Sequence, residues 1–210
     1  MGPEEIPLHF LIFPSQLGWM AVVWRGQKVR GLTFGHEDPV GAGLGLSNIL
    51  GSPLQRSIPI PIKSENCLIG DQTDWYREAT CVLPQNERVL MERLRSYAQG
   101  KPVEFNDIPL DPGPTSPFQA KVYAFCRQIP FGSTITYGQL AQLVGSPGAA
   151  RAVGQCLARN PIPILIPCHR VVGSGKKLGG FTAPGGLQMK KRLLQLEANA
   201  LQLKESLALV

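Results

Sequence analysis

The 210-residue sequence predicts an α/β unit at its N-terminus followed by a mainly α-helical unit. Three observations predict this. Strand-like apolar runs crowd the first 34 residues. Residues Ile108–Pro117 (IPLDPGPTSP) hold four prolines and little that could form an element, which marks a domain boundary. Beyond it, apolar residues recur at helical spacing. The expected organisation is a scaffold domain over 1–107, a linker over 108–117 and a second domain over 118–210.

Phe10–Phe13, Trp19–Trp24 and Val29–Phe34 read as strands, the last two joined through Arg25–Lys28 around Gly26 as a hairpin. Residues 35–73 are rich in Gly, Pro and Ser and read as an irregular insertion with room for one short strand. Asn86 can cap a helix that runs to Gln99, with Leu90, Leu94, Tyr97 and Ala98 on one face and Gly100 as its stop. After the linker, Phe118–Gln128 predicts a helix buried along Phe118, Val122, Phe125 and Cys126. Tyr137–Val144 and Pro147–Arg159, split by Gly145–Ser146, have the layout of a helix-turn-helix. Pro161, Pro163 and Pro167 break helix formation across Ile162–Ile166, which is expected to be extended and buried. A glycine-rich loop over Gly173–Gly186 leads to a last helix from about Leu187 to Leu207.

Charge is divided unevenly. Residues 1–117 carry ten Lys and Arg against thirteen Asp and Glu, whereas 118–210 carry eleven against two, Glu197 and Glu205, within a net +6. A basic second half suits a polyanionic partner. No run approaches the roughly 20 apolar residues of a membrane helix, and Glu4 and Glu5 stand where a signal peptide would be basic. The expectation is a soluble intracellular protein. Five scattered cysteines, odd in number and without a CxxC pair or clustered histidines, disfavour both a disulfide framework and a metal site.

One of those cysteines stands apart. Pro161-Ile-Pro-Ile-Leu-Ile-Pro-Cys168-His169-Arg170 delivers a thiol beside an imidazole on a proline-stiffened apolar segment. A free thiol has a pKa near 8.5 and needs a base to become a nucleophile at neutral pH. His169, acting through a bridging water, can take the proton, and Arg170 can favour the anion. For the bare pair alone, a buried structural cysteine beside an incidental histidine is the favoured reading.

The wider string closely resembles the O6-alkylguanine-DNA alkyltransferase (methylated-DNA–protein-cysteine methyltransferase) family from about Phe118 to Glu197. The matching stretches are Phe118-Gln119, Ile129-Pro130-Phe131-Gly132, Thr136-Tyr137-Gly138-Gln139-Leu140-Ala141, Ala149-Ala150-Arg151-Ala152-Val153-Gly154, Asn160-Pro161 and Pro167-Cys168-His169-Arg170-Val171. The resemblance implies a ribonuclease-H-like N-terminal domain and a winged-helix, helix-turn-helix-like alkyltransferase domain. It implies direct-reversal repair of double-stranded DNA by a cofactor-free monomer, in the cytoplasm and nucleoid or in a nucleus. Cys168 then takes the alkyl group irreversibly, His169 is its base, Glu197 holds His169 and Asn160 braces the turn. Arg151 matches the finger that fills the place of an extruded nucleotide, and Tyr137 the residue that helps turn that nucleotide out. Gln119, Gly138, Ser146 and Ser174 match positions that contact the DNA backbone. The small residues Gly148, Ala149, Ala150, Ala152 and Gly154 offer no base-edge donors, which suits close approach to a minor groove rather than sequence reading.

The loop Gly179–Gly186 departs from the family pattern by about two extra residues. Phe181 or Ala183 falls where relatives tend to place a tyrosine over the base, and Pro184 has no N–H for guanine O6. A neighbouring amide or Lys190 would have to donate instead. No counterpart of the zinc ligands of some relatives is visible in the N-terminal half. The alternative function is a damage sensor that binds alkylguanine and transfers nothing. A cysteine hydrolase would need a separately placed histidine that His9 and His36 do not offer.

Overall fold

The computed structural model describes residues 8–51, 57–59 and 84–208. It divides into one compact unit of residues up to Arg95 together with Ile108–Pro112, and a second of Ser96–Asp107 with the chain from Gly113 onward. None of the described helices is long and apolar enough to cross a membrane.

In the first unit, strands β1 (Leu8–Ser15), β2 (Gly18–Arg25) and β3 (Lys28–His36) form an antiparallel meander. Helix α1 (Pro39–Leu50) follows, and strand β4 (Ser57–Pro59) lies parallel to β1 to give the order β3-β2-β1-β4. Strand periodicity sorts the side chains onto two faces. Phe10, Ile12, Ala21 and Val23 pack with Ala42 and Leu46 of α1. On the opposite face, His9 reaches Glu87 at 3.2 Å and Phe13 lies under Arg95, both from helix α2 (Gln85–Ala98).

Helix α1 corrects the expectation of an irregular insertion beginning at residue 35. Three glycines hide its periodicity, but its start is well formed: the Asp38 side chain accepts from Gly41 N–H at 2.7 Å and Pro39 occupies the first turn. Burial of Ala42 and Leu46 on the sheet supplies what intrinsic propensity does not. The rest of that insertion, 52–56 and 60–73, lies outside the described residues, as do Cys67 and Cys81. The proline-rich segment is more than a tether. Val29 N–H donates to Pro109 O at 3.0 Å and Asp111 N–H to Val29 O at 2.8 Å, so its first half extends the edge of the sheet.

The second unit is built on helices α3 (Pro117–Arg127), α4 (Tyr137–Leu143), α5 (Ala150–Ala158) and α6 (Gly186–Ala208). Ser116 caps α3, whose buried side is Val122, Tyr123 and Cys126 rather than a stripe including Phe118 and Phe125, both only half-buried. Two short strands, β5 (Ile135–Thr136) and β6 (Val171–Val172), pair in parallel. A reciprocal capping box fixes the start of α4: Thr136 Oγ1 accepts from Gln139 N–H, and Gln139 Oε1 from Thr136 N–H. The β5–β6 pair therefore fastens the start of α4 to the segment that follows Cys168.

Candidate active site

Cys168 opens a 3-10 turn, Cys168–Arg170, reached through the apolar run Ile162–Ile166. That run is buried as expected, but it is a tight turn rather than an extended segment. Ile166 N–H donates back to Ile162 O at 2.9 Å, and Ile164 adopts a φ of 71°. A left-handed conformation is costly for a β-branched residue, of the order of 1–3 kcal/mol, and survives only where surrounding contacts enforce it. Asn160 supplies that enforcement. Its Oδ1 accepts from Ile162 N–H at 3.0 Å and its Nδ2 donates to Ile166 O at 2.8 Å, so one amide holds both ends of the turn. Cys168 N–H then donates to the same Ile166 carbonyl at 2.7 Å.

The thiol reaches a cavity of about 760 Å³ while remaining only 8% exposed. Thr136, Tyr137 and Gly138 form one wall, and Ala150, Arg151, Gly154, Gln155, Leu157 and Ala158 of α5 form another. Gly173, Ser174, Gly180, Phe181 and Thr182 close it from the glycine-rich loop. That loop is pinned at two points. Thr182 Oγ1 donates to Ala158 O at 3.1 Å, and Gly179 (φ 71°) lies so near the Tyr137 ring that an added Cβ would fall 2.7 Å from its Cε2.

Behind the thiol lies a fully buried array. His169 Nε2 is 2.8 Å from Glu197 Oε1, whereas His169 Nδ1 is buried with no protein hydrogen-bond partner. The Glu197 carboxylate also accepts from Arg170 Nε at 3.0 Å, from Gly132 N–H at 2.8 Å and from the Tyr97 hydroxyl at 2.7 Å. Burial opposes ionisation of Glu197. The His169 hydrogen bond, the His169 charge once the imidazole is protonated in acid, and the Arg170 guanidinium outweigh it and hold the carboxyl down to about 2. Burial lowers His169 despite its carboxylate neighbour, so the imidazole rests neutral and Arg170 is the charged partner at neutral pH.

Two sequence expectations are corrected by this array. Arg170 does not favour the Cys168 thiolate: its Nη1 donates to Ile129 O, its Nε and Nη2 go to Glu197, and its guanidinium lies over the Phe131 ring. Lys190 does not line the cavity. It is 0% exposed and donates to Val171 O at 2.7 Å, with the Tyr137 hydroxyl and Gly180 O farther off. Lys190 is instead the cation that bears on the sulfur. Burial pushes the Cys168 thiol above its usual range; the Asn160 hydrogen bond, the Lys190 charge and the nearby backbone N–H groups act against that rise. The resting thiol is therefore protonated.

Of the remaining expected positions, Tyr137, Gly138, Arg151, Ser174 and Phe181 meet around the cavity with Cys168. Gln119 and Ser146 are not part of its lining; Gln119 Nε2 donates to Tyr123 OH at 2.8 Å, and Ser146 N–H closes the α4 end on Ala141 O. Sequence reasoning placed Tyr97 and Gly132 but gave neither a role at the site. A phenol on a buried helix face needs a polar partner, which was the available signal for Tyr97. At Gly132 the backbone φ is 75°, and a Cβ would fall within 3.0 Å of Leu201 Cγ. Gly132→Ala is expected to destabilise the protein by about 2–4 kcal/mol, measured by denaturant unfolding.

The chain matches the profile of the 6-O-methylguanine DNA methyltransferase DNA-binding domain over residues 117–199. It is 43% identical over 135 residues to a methylated-DNA–protein-cysteine methyltransferase of Mycolicibacterium paratuberculosis, an alignment spanning 63% of this chain and 78% of that protein. The chain belongs to the methylated-DNA–protein-cysteine methyltransferase family. It is also 45% identical over 107 residues to a member from Mycobacterium tuberculosis, covering 51% of this chain and 62% of that one. Among solved structures, M. tuberculosis OGT in complex with DNA superposes with a TM-score of 0.62 at 29% identity, over 91% of this chain and 94% of the other. The α/β first unit and the helical second unit are thus those of a family member.

Proposed function

We propose that this protein repairs O6-alkylguanine in double-stranded DNA by transferring the alkyl group to Cys168, each molecule acting once. The observation that carries this reading is a thiol at the edge of a cavity walled by Tyr137 and Arg151, backed by a neutral imidazole whose Nδ1 is uncommitted. The thiol proton passes to His169 Nδ1 through a water, and sulfur attacks the O6-alkyl carbon. The carbon–O6 bond breaks with its electron pair going to guanine, which takes up a proton in return. The product is a thioether and repaired guanine. Glu197 keeps His169 oriented, and Asn160 holds the turn that presents the sulfur.

The target carbon lies inside the stacked duplex, so the nucleotide must be turned out, at a cost of a few kcal/mol. In this reading Arg151, exposed in the first turn of α5, fills the gap, and Tyr137, on the cavity wall, crowds the target phosphate. No side chain caps α5, which leaves its first N–H groups available to phosphate. Gly138 and Ser174 at the cavity rim are backbone contacts in this reading, and Phe181 stacks on the extruded base. The apolar lining and the small residues Ala150, Ala152 and Gly154 along α5 suit close approach to DNA of any sequence. The sheet order β3-β2-β1-β4, with β4 parallel to β1, supports a ribonuclease-H-like first unit. A monomer working inside the cell, where the DNA lies, completes the reading.

Incubation with a duplex containing O6-methylguanine is expected to add one methyl mass to the peptide containing Cys168. An unmodified protein that still binds the duplex would establish the sensor reading instead. Arg151→Ala is expected to weaken duplex affinity and lower repair, each by about tenfold, in titrations and single-turnover assays. Affinity is expected to fall steeply with added salt, as it does where Lys and Arg displace counterions from phosphates.

A further inference from the structure

We propose that Tyr97 is a positioning residue of the transfer reaction: its hydroxyl proton is committed to Glu197, so both atoms facing His169 Nε2 are acceptors and the imidazole keeps its lone pair on Nδ1. The inference rests on reading Cys168 as the alkyl acceptor. Tyr97 OH donates to Glu197 Oε1 at 2.7 Å and lies 3.2 Å from His169 Nε2, which is itself 2.8 Å from the same carboxylate oxygen. With its proton given to Glu197, the phenol oxygen has only lone pairs to offer the ring. Nε2 must then carry the hydrogen, and the base that faces away from this cluster is Nδ1. When Nδ1 accepts the thiol proton, the resulting imidazolium already has its Nε2–H between a phenol oxygen and a carboxylate.

Tyr97 is 0% exposed, and its ring meets Phe105 and Phe131 edge-on at 6.1 and 6.0 Å, so the hydroxyl has little freedom to seek another partner. Burial and the adjacent carboxylate push its phenol well above the usual range, which keeps it a donor at any working pH.

Two measurements test this. In the unmodified protein, nitrogen-15 NMR of His169 is expected to show a protonated Nε2 and an unprotonated Nδ1; the opposite tautomer would overturn the proposal. In Tyr97→Phe, which keeps the ring contacts, the single-turnover methyl-transfer rate at saturating O6-methylguanine duplex is expected to fall about tenfold with the half-saturating concentration unchanged. An unchanged rate, or a loss of duplex affinity that accounts for the whole effect, would overturn it. Absence of transfer by the unsubstituted protein would sink the Cys168 reading instead. In that case, or if Tyr97→Phe does not fold, the tautomer measurement still decides the hydrogen-bond assignment.

Discussion

Cys168→Ala is expected to abolish methyl transfer completely while leaving duplex affinity within about twofold of the original. Transfer needs a sulfur that is both in the cavity and within reach of a base, and the other described thiols do not meet both conditions. Cys126 is fully buried, and Cys156 sits half-buried on α5 outside the cavity lining. No residual product at Cys126 or Cys156 is therefore expected, and mass mapping of the peptides that contain them checks this. Binding is expected to persist because the DNA contacts proposed for Arg151 and Tyr137 do not run through Cys168. The folded state should lose only about 1 kcal/mol, since a thiol is small and the cysteine backbone bonds remain. A Cys168→Ala protein that still accumulates a methyl group would disprove the assignment of the acceptor.

Glu197→Gln carries the largest expected stability loss. The carboxylate accepts from four different residues in a fully buried setting, and an amide in its place turns one acceptor into a donor facing other donors. It also leaves the Arg170 guanidinium buried without its counter-charge. Breaking a buried pair in this way costs about 3–5 kcal/mol, which denaturant unfolding would read directly. Single-turnover transfer should fall as well, because His169 loses its nearest anchor. The same substitution should change the acid sensitivity of the fold. Glu197 sits at about 2 in the folded protein against an ordinary 4.5. Its contribution is complete above pH 4.5 and is lost as pH falls toward 2. His169 adds an earlier loss: its folded value is depressed, so protonation of the unfolded chain draws stability down once pH drops below about 6.5. Glu197→Gln should lack the lower of these two windows, as stability measured across pH would reveal.

Legibility in the sequence followed how local each signal was. The β1–β3 meander showed itself through unbroken apolar runs, and α4 through its layout against α5 across the Gly145–Ser146 turn. Cys168, His169 and Asn160 lie within ten residues of one another and could be read as one motif. Helix α1 could not, because its stability comes from packing Ala42 and Leu46 on the sheet while Gly41, Gly43 and Gly45 argue locally against a helix. Three prolines correctly excluded a helix after Asn160, yet nothing in an isoleucine announces the left-handed backbone at Ile164; contacts elsewhere impose it. Arg170 was misassigned for a related reason. Its nearness to Cys168 in sequence suggested a role at the sulfur, but the 3-10 turn sends it to Glu197, 27 residues on. Tyr97, 72 residues before His169, belonged to a helix that looked purely structural.

The clamp across the Ile162–Ile166 turn also bears on how long the protein can wait. A single-use molecule must persist undamaged until a lesion arrives, and asparagine side chains ordinarily age by deamidation, when the next residue's backbone nitrogen attacks the amide to close a succinimide ring. Asn160 is followed by Pro161, whose nitrogen carries no hydrogen and cannot enter that reaction. Conversion to aspartate would remove the donor to Ile166 O and set a negative charge beside the sulfur. The residue that follows the clamp closes the principal chemical route to that failure.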